Sequence, residues 1–460
     1  HLALMTARAT FPQQSTLRPG VALSAEQMAQ LTSDIVWLVE QEVTLADGTT
    51  RKVLVPQVYV RVKPGDIDGS GALLSGNRVD MKLEGGVANA GTIAGRELVK
   101  IDAKSIQNLS GRISSNSGAV QLKATEDILN IGGTIDAARR LDIDAGRNVV
   151  VATTTRTGGS AAGVDGTNGV KIATQSIDRI AGLYVTEAGG ELNVKAGQDV
   201  TLQGAQVKST GSVAIQAERD INLDTVRTSQ ALEVRWDAGN SRRTAETREV
   251  GSSIVANDDV TLDAGNDVNA RAARVNSRQG DLSVTADRDI NILAGESTLS
   301  HDDQLSISGK RPFGKSSFSQ QTSIEETTAI ATSFGGATVV LEGGRDITVR
   351  GSNVVSDKST ELWAGRDVNI EAATESHSKS VDRQESTSGV FGSRNGLTAG
   401  SQRQQQSEET QATRAATVAA TVLISALIST LLSPSSKLPP LMVVLISVLA
   451  PWIRRLSTNC

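Results

Sequence analysis

The chain has 460 residues, with 43 glycines, 9 prolines, one cysteine, 2% aromatic residues and a formal charge of −5. The lone Cys460 excludes an internal disulfide framework and a multi-cysteine zinc site, and so mild a charge gives no general attraction to nucleic acid or an anionic membrane. The length admits two or three compact domains, but few aromatics among many Val, Ile, Ala, Asn, Asp and Thr suit the thin aliphatic core that stacked repeats build.

The sequence opens at His1 without an initiator Met and without a basic-then-apolar signal pattern, so it reads as a fragment whose export signal would lie upstream. Ser24-Ala25-Glu26-Gln27 has the form of a capping box and predicts a short helix up to about Leu31. The apolar runs 35–45 and 52–62 flank Asp47-Gly48, which predicts a β-hairpin that caps or interrupts the repeats beyond it. Residues 1–63 are therefore expected to form an N-terminal helix-and-hairpin segment.

Residues 64–374 repeat one motif: apolar, any, apolar, any, Ala or Gly, two variable residues, Asp or Asn, then Val or Ile. Val120-Gln-Leu122-Lys-Ala124-Thr-Glu-Asp127-Ile128 and Leu192-Asn-Val194-Lys-Ala196-Gly-Gln-Asp199-Val200 are two of at least eight copies, and a weaker copy surrounds Val99, Ile101 and Ala103. The turn residue recurs in pairs, Asp127 and Asn148, Asp199 and Asp220, Asp267 and Asp289, Asp346 and Asp367, with steps of 21, 21, 22 and 21. Alternation with period two marks strands with one buried face, and the Ala/Gly-x-x-Asp/Asn break marks sharp turns between them. Coils of about 21 residues stacked at the strand spacing would form a parallel β-helix, a scaffold rather than an enzyme. The eight turn residues are expected to be a structural ladder, Asx side chains bonding their own backbone. Calcium is the alternative role, but a glycine-rich nonapeptide β-roll needs a repeat that the chain lacks.

Between pairs the turn residues lie 51, 47 and 57 apart, leaving polar, Ser/Thr/Arg-rich insertions at 153–179, 227–251 and 297–332. These should project, with Arg235-Trp236-Asp237 and the stretch 247–249 reading as hairpin arms, and loops on a rigid scaffold are the usual seat of recognition. Residues 375–414 read as a further polar insertion or a linker. From Ala415 the composition changes: two uncharged runs, 415–433 and 438–453, precede Arg454-Arg455. The tail 415–460 is expected to be the product of a reading-frame shift, the alternative being a membrane segment.

No catalytic constellation stands out. His1, His301 and His377 have no Cys or His at ligand spacing and read as solvated loop residues. The abundant carboxylates recur as turn or outward strand residues, so no isolated acid–base pair is visible. Gly335-Gly336 is read as part of a loop and not of a phosphate-binding fingerprint. No catalytic, cofactor-binding or metal residue is therefore assigned, and no cofactor or nucleic-acid partner is expected.

With its repeats aligned, the chain resembles the filamentous haemagglutinin family of two-partner-secreted exoproteins, including the contact-dependent growth inhibition exoproteins of Gram-negative bacteria. The resemblance rests on Leu31-Thr-Ser-Asp-Ile-Val-Trp-Leu-Val39, Val53-Leu-Val-Pro-Gln-Val-Tyr-Val-Arg-Val62, Gly71-Ala-Leu-Leu-Ser-Gly76, Gly91-Thr-Ile-Ala-Gly95 and the Ala-Gly-Arg-Asp-Val repeats, and it covers nearly everything up to about residue 414. It implies a right-handed β-helix, secretion through an outer-membrane transporter, display on the bacterial surface and, in growth-inhibition members, a role for this region in carrying a C-terminal toxin into a neighbouring cell. The sequence departs from the pattern: it has neither the initial secretion domain nor a Val-Glu-Asn-Asn junction with a toxin, so this piece by itself is expected to be neither exported nor toxic.

Two functions are in view. One is an adhesin or structural shaft that meets a receptor on a host or bacterial cell, and the other is a toxin-delivery segment that engages a target cell's outer membrane. An exposed apolar band would favour delivery, and a wholly polar exterior with ordered loops would favour the shaft.

Overall fold

The computed structural model describes residues 35–44, 50–59, 72–163, 168–311, 314–393 and 396–416, and every regular element within them is a β-strand. The helix expected near Ser24 and the apolar runs beyond Ala416 lie outside the described residues. The N-terminal hairpin is present: Ile35–Thr44 pairs antiparallel with Thr50–Tyr59 as a separate two-stranded sheet.

The repeats stack as a parallel β-helix. A representative coil runs through Ile128–Ile131, Thr134–Ala137 and Arg140–Ala145, and the following coil opens with Val149 paired to Ile128. Three strands per coil give three faces. One is a ten-stranded sheet from Val87–Asn89 to Asp367–Glu371, and the other two are joined at their ends by strands long enough to span both.

Two-residue alternation turns every second side chain inward. The inward columns are continuous, for example Ile106, Ile128, Val149, Val200, Ile221, Val268, Ile290 and Ile347, all buried. Phe334 is the one aromatic among the large fully buried side chains, so the core is as thin and aliphatic as the composition requires. Near the start of the β-helix a buried asparagine ladder replaces one apolar column: Asn89 Nδ2 donates to Asn108 Oδ1 and Asn108 Nδ2 to Asn130 Oδ1, both at 2.8 Å. Their remaining donors reach backbone carbonyls such as Gly111 and Gly133, so no buried amide is left unpaired. Above Asn130 the column becomes Val151 and Leu202.

The corner after the first strand of each coil takes two forms, and from the coil of Ile128 onward they alternate. In one form the chain turns directly through a residue with positive φ: Ser110 (59°), Gly132 (60°), Gly204 (57°), Ala272 (48°) or Gly351 (57°). In the other, a hairpin leaves the coil and returns. Hairpins occupy 154–179, 226–250, 295–330 and 373–416, one for every second coil from Val149 onward. The spacing has a simple cause. A coil is one strand thick and a hairpin two, so a hairpin every second coil keeps both stacks at the same roughly 4.8 Å spacing. The pairing of turn residues in the sequence is the trace of this match.

Candidate functional site

The four hairpins form one surface. Their arms are Thr154–Ala162 and Gly169–Arg179, Val226–Asp237 and Asn240–Val250, Gly295–Arg311 and Gly314–Ile330, and Ala373–Ser393 and Gly396–Ala416. Neighbouring hairpins pair arm to arm, with Ile172 opposite Leu232, Thr244 opposite His301 and Ile324 opposite Lys379, which makes a continuous eight-stranded antiparallel sheet. This fin hydrogen-bonds strand to strand only within itself. The expected projection of the insertions is thus correct, and the 375–414 stretch is the longest hairpin, not a linker.

Buried hydroxyls hold the chain where hairpins leave the coil. Thr153 Oγ1 donates to the Gly204 carbonyl at 2.7 Å and accepts from the Ala181 N–H at 3.1 Å. Ser252 Oγ bridges Leu202 O (2.7 Å) and Ala205 N (3.0 Å), and Thr332 Oγ1 bridges Leu293 O (2.6 Å) and Ala273 N (3.0 Å). Each supplies the corner bonds that a continuous backbone would otherwise make. At the fin base, the buried Glu249 carboxylate accepts from Arg271 Nε at 2.8 Å and from the Glu296 N–H at 3.0 Å, with Arg227 at 3.6 Å. It ties the second and third hairpins to the coil of Arg271. The second hairpin's tip is closed by Asp237, which accepts from Asn240 Nδ2 and the Gly239 N–H, both at 2.8 Å, and these bonds hold its carboxyl below the usual range. Asn240 also exchanges bonds with the Ser306 backbone, clasping this tip to the third hairpin.

The two sides of the fin differ. Strand alternation places Val170 and Ile172 opposite Val234 and Leu232 on one side, and on the same side Ile307 opposite Phe318, with Leu305 and Ile324 nearby. The reverse side carries rows such as Ala173, Ala231, Ala245 and Ser300, or Gln175, Ser229, Thr247 and Thr298. Midway across the apolar side lies one polar network. Arg242 makes a bidentate pair with Asp303 (2.6 and 2.9 Å), His301 Nε2 lies 3.2 Å from Asp303, and His301 Nδ1 is 3.0 Å from Thr244 Oγ1. The Arg242 pair, followed by His301, holds the Asp303 carboxyl below its ordinary range against the opposing effect of burial.

The structure corrects several sequence expectations at this level. His301 and His377 sit on strands, not loops, and His301 is half-buried with partners. Gly335-Gly336 lies within the strand Ser333–Gly343. His1 is outside the described residues. Among the described residues, no group of three or more His, Cys, Asp or Glu side chains is placed to hold a metal. No helix among them is long and apolar enough to cross a membrane.

The eight turn residues do stack, but their side chains reach the next coil instead of their own backbone. Asp127 Oδ1 accepts from the Asn148 N–H at 3.2 Å, Asn148 Oδ1 from the Asp199 N–H at 3.2 Å, and Asp199 Oδ1 from the Asp220 N–H at 3.3 Å. The relay continues from Asp220 to Asp267, Asp289, Asp346 and finally Asp367. The arginine that precedes the turn residue braces the aspartate one coil below: Arg147 on Asp127, Arg219 on Asp199, Arg288 on Asp267, Arg345 on Asp289 and Arg366 on Asp346. Two ladder positions lack the arginine: Gln198 precedes Asp199 above Asn148, and Asn266 precedes Asp267 above Asp220. Arg345 and Arg366 hold the carboxyls of Asp289 and Asp346 below the usual range.

This geometry has relatives among known proteins. The hemagglutinin repeat family matches residues 174–233, 237–313 and 312–426. The chain belongs to the haemagglutinin-repeat family. The 16S rRNA endonuclease CdiA of Enterobacter cloacae subsp. cloacae is 33% identical over 82% of this chain and 11% of that protein. The tRNA nuclease CdiA of Escherichia coli strain STEC_O31 is 29% identical over 82% of this chain and 11% of its own length. The tRNA nuclease CdiA-2 of Burkholderia pseudomallei is 23% identical over 85% of this chain and 14% of its own length. The chain thus spans only 11% to 14% of these relatives' own length, and it is the haemagglutinin-repeat region of a filamentous haemagglutinin-like exoprotein. No solved structure matches it. The family repeat has a structural meaning here, because the boundaries between its matches, at 233–237 and 312–313, fall close to the tips of the second and third hairpins. One haemagglutinin repeat is a returning arm, two coils and an outgoing arm.

Proposed function

We propose that this region is a non-enzymatic cell-surface shaft whose fin is the adhesive surface. The observation that carries the reading is the division of labour in the side chains. Inward positions of the coils fill the core and the turn ladder bonds coil to coil, whereas the fin alone holds an ordered surface away from the stack. The eight turn residues from Asp127 to Asp367 are assigned to structure on the same ground: the first seven accept from the backbone of the next coil, five of them are also braced by its arginine, and Asp367 closes the relay as a donor. In the full-length exoprotein the shaft would be exported through an outer-membrane two-partner-secretion transporter and displayed on the bacterial surface. There it would meet a receptor on a host or bacterial cell, with no cofactor or nucleic acid involved.

One observation favours a second reading, delivery of a toxin at a target cell's outer membrane: the apolar residues on one side of the fin, Ile307 (57% exposed) and Val170 among them. The two readings separate in bacteria that display the full-length exoprotein with the second and third hairpins each replaced by a direct glycine corner. Loss of attachment with surface display retained supports the adhesive shaft. Normal attachment with lost growth inhibition supports delivery. If neither changes, the fin has no part in either function.

A further inference from the structure

We propose that the apolar side of the fin is an interface between two copies of this chain. A sheet with one apolar face is stable when a second layer covers that face. Among the described residues the fin has no second layer, and its strands pair only with one another. The reverse side offers no such rows: it carries Ser, Thr, Gln and Ala together with the charged row Lys171, Glu233, Arg243 and Asp302. The face that carries these apolar residues runs across the six strands between Gly169–Arg179 and Ala373–Ser393 and along Leu299 to Ile307, with the polar row of Arg242, Thr244 and Glu246 between its two apolar groups. At roughly 4.8 Å between strands and about 3.4 Å per residue it covers about 700 Å². Two such faces would bury about 1,400 Å² in total, within the range of a stable, specific interface.

Charge selects the occupant. The central Arg242–Asp303–His301 group is paired within the sheet, and Arg383 stacks on Phe318 at 5.0 Å, so no unmatched cation faces outward from either group. Strand alternation puts Arg248 and Lys379 on the same side as Glu246, Glu326 and Glu385, so the face carries both signs with no cationic excess to draw an anionic lipid surface, and a second copy offers each sign its opposite. A second fin presents the same apolar rows in the same single-layer form and packs face to face at about 10 Å, as sheets in sandwiches do.

The test is sedimentation velocity of the full chain, with the pair Ile172→Glu and Leu305→Glu on the apolar side and Ser306→Glu and Ser308→Glu as controls on the reverse side. The wild type and the control are expected to dimerise, and the apolar-side variant to dissociate with a Kd raised about tenfold or more. A second measurement does not depend on the double variant folding. In a Cys460→Ser background, Thr244→Cys near the patch centre should cross-link between copies through a bis-maleimide of about 10 Å, the sheet-to-sheet distance, and the adjacent Ala245→Cys should not. A monomeric wild type overturns the proposal, as does equal cross-linking at both positions or association that persists in the apolar-side variant. A monomer that binds phosphatidylethanolamine–phosphatidylglycerol vesicles through Ile172 and Leu305 would overturn it too, and would give the face to lipid.

Discussion

Ala272 carries a Cβ at a positive φ that Gly204 and Gly351 adopt without one. Left-handed backbone costs an L-residue about 1–2 kcal/mol, and glycine's greater freedom in the unfolded chain returns part of that. Ala272→Gly is therefore expected to stabilise the protein by about 0.5 kcal/mol in denaturant unfolding. Gly204→Ala should do the reverse, because its Cβ would lie 2.8 Å from Val226 Cγ2. A sharper contrast exists within one core column. Val268 is fully buried and Val368, in the last described coil, is 42% exposed. Val268→Asp should cost several kcal/mol and lower the melting midpoint markedly, and Val368→Asp only a fraction of that. Equal effects would show that Val368 is as fully buried as Val268. The ladder carboxylates add an acid dependence. Asp289 and Asp346 have folded pKa values below their unfolded ones. Their contribution is thus present above the ordinary carboxylate range, near about pH 4, and is lost as pH falls through the depressed folded values. The melting midpoint should drop on going from neutral pH to about pH 2.5, and drop less in Asp289→Asn, as thermal circular dichroism at both pH values would reveal.

Strands and corners show how much the sequence could say. The β-helix was legible because its signal is local: apolar alternation and the Asp127-to-Asp367 step lie within single coils, and a coil face cannot be filled any other way. The N-terminal hairpin was legible from Asp47-Gly48. The fin was only half legible. Its polar rows of Ser, Thr and Gln give little apolar contrast, so projection could be read but sheet formation could not. The missing pieces are contacts between residues far apart in the chain. The Thr244–His301 contact spans 57 residues, and each bracing arginine meets an aspartate one coil below, not its neighbour in sequence. Glu249 is a third case, an acidic residue in a polar insertion that becomes buried only when two hairpins and a coil converge. Glu249→Ala should leave Arg271 with Glu296 as its remaining carboxylate, take the acceptor from the Glu296 N–H and cost about 1–3 kcal/mol locally. Hydrogen exchange would then show faster opening in the arms 226–250 and 295–330, with the coils at Val149 and Val200 unaffected.

On the scale of the whole molecule, stability lies in the match between two stacks, coils and hairpin arms, that share one spacing. Removing the segment from Val200 to Asp267 takes out two coils and one hairpin and leaves Asp199 joined to Val268, with the first and third hairpins free to pair. That deletion is expected to fold with an unchanged β signal per residue. Removing only 226–250 should leave a two-strand gap in the fin and expose its arms to protease. If the two deletions behave alike, the stacks are independent. One further feature concerns position along the shaft. A perfectly periodic rod has no landmarks, since a partner meeting one unit cannot tell it from the next. Here the outgoing arms lengthen from 9 residues to 12, 17 and 21 along the chain. At about 3.4 Å per residue the fin's reach more than doubles over four hairpins. Each unit therefore has an address, and a cell that touches the rod from the side meets the far end of this segment first.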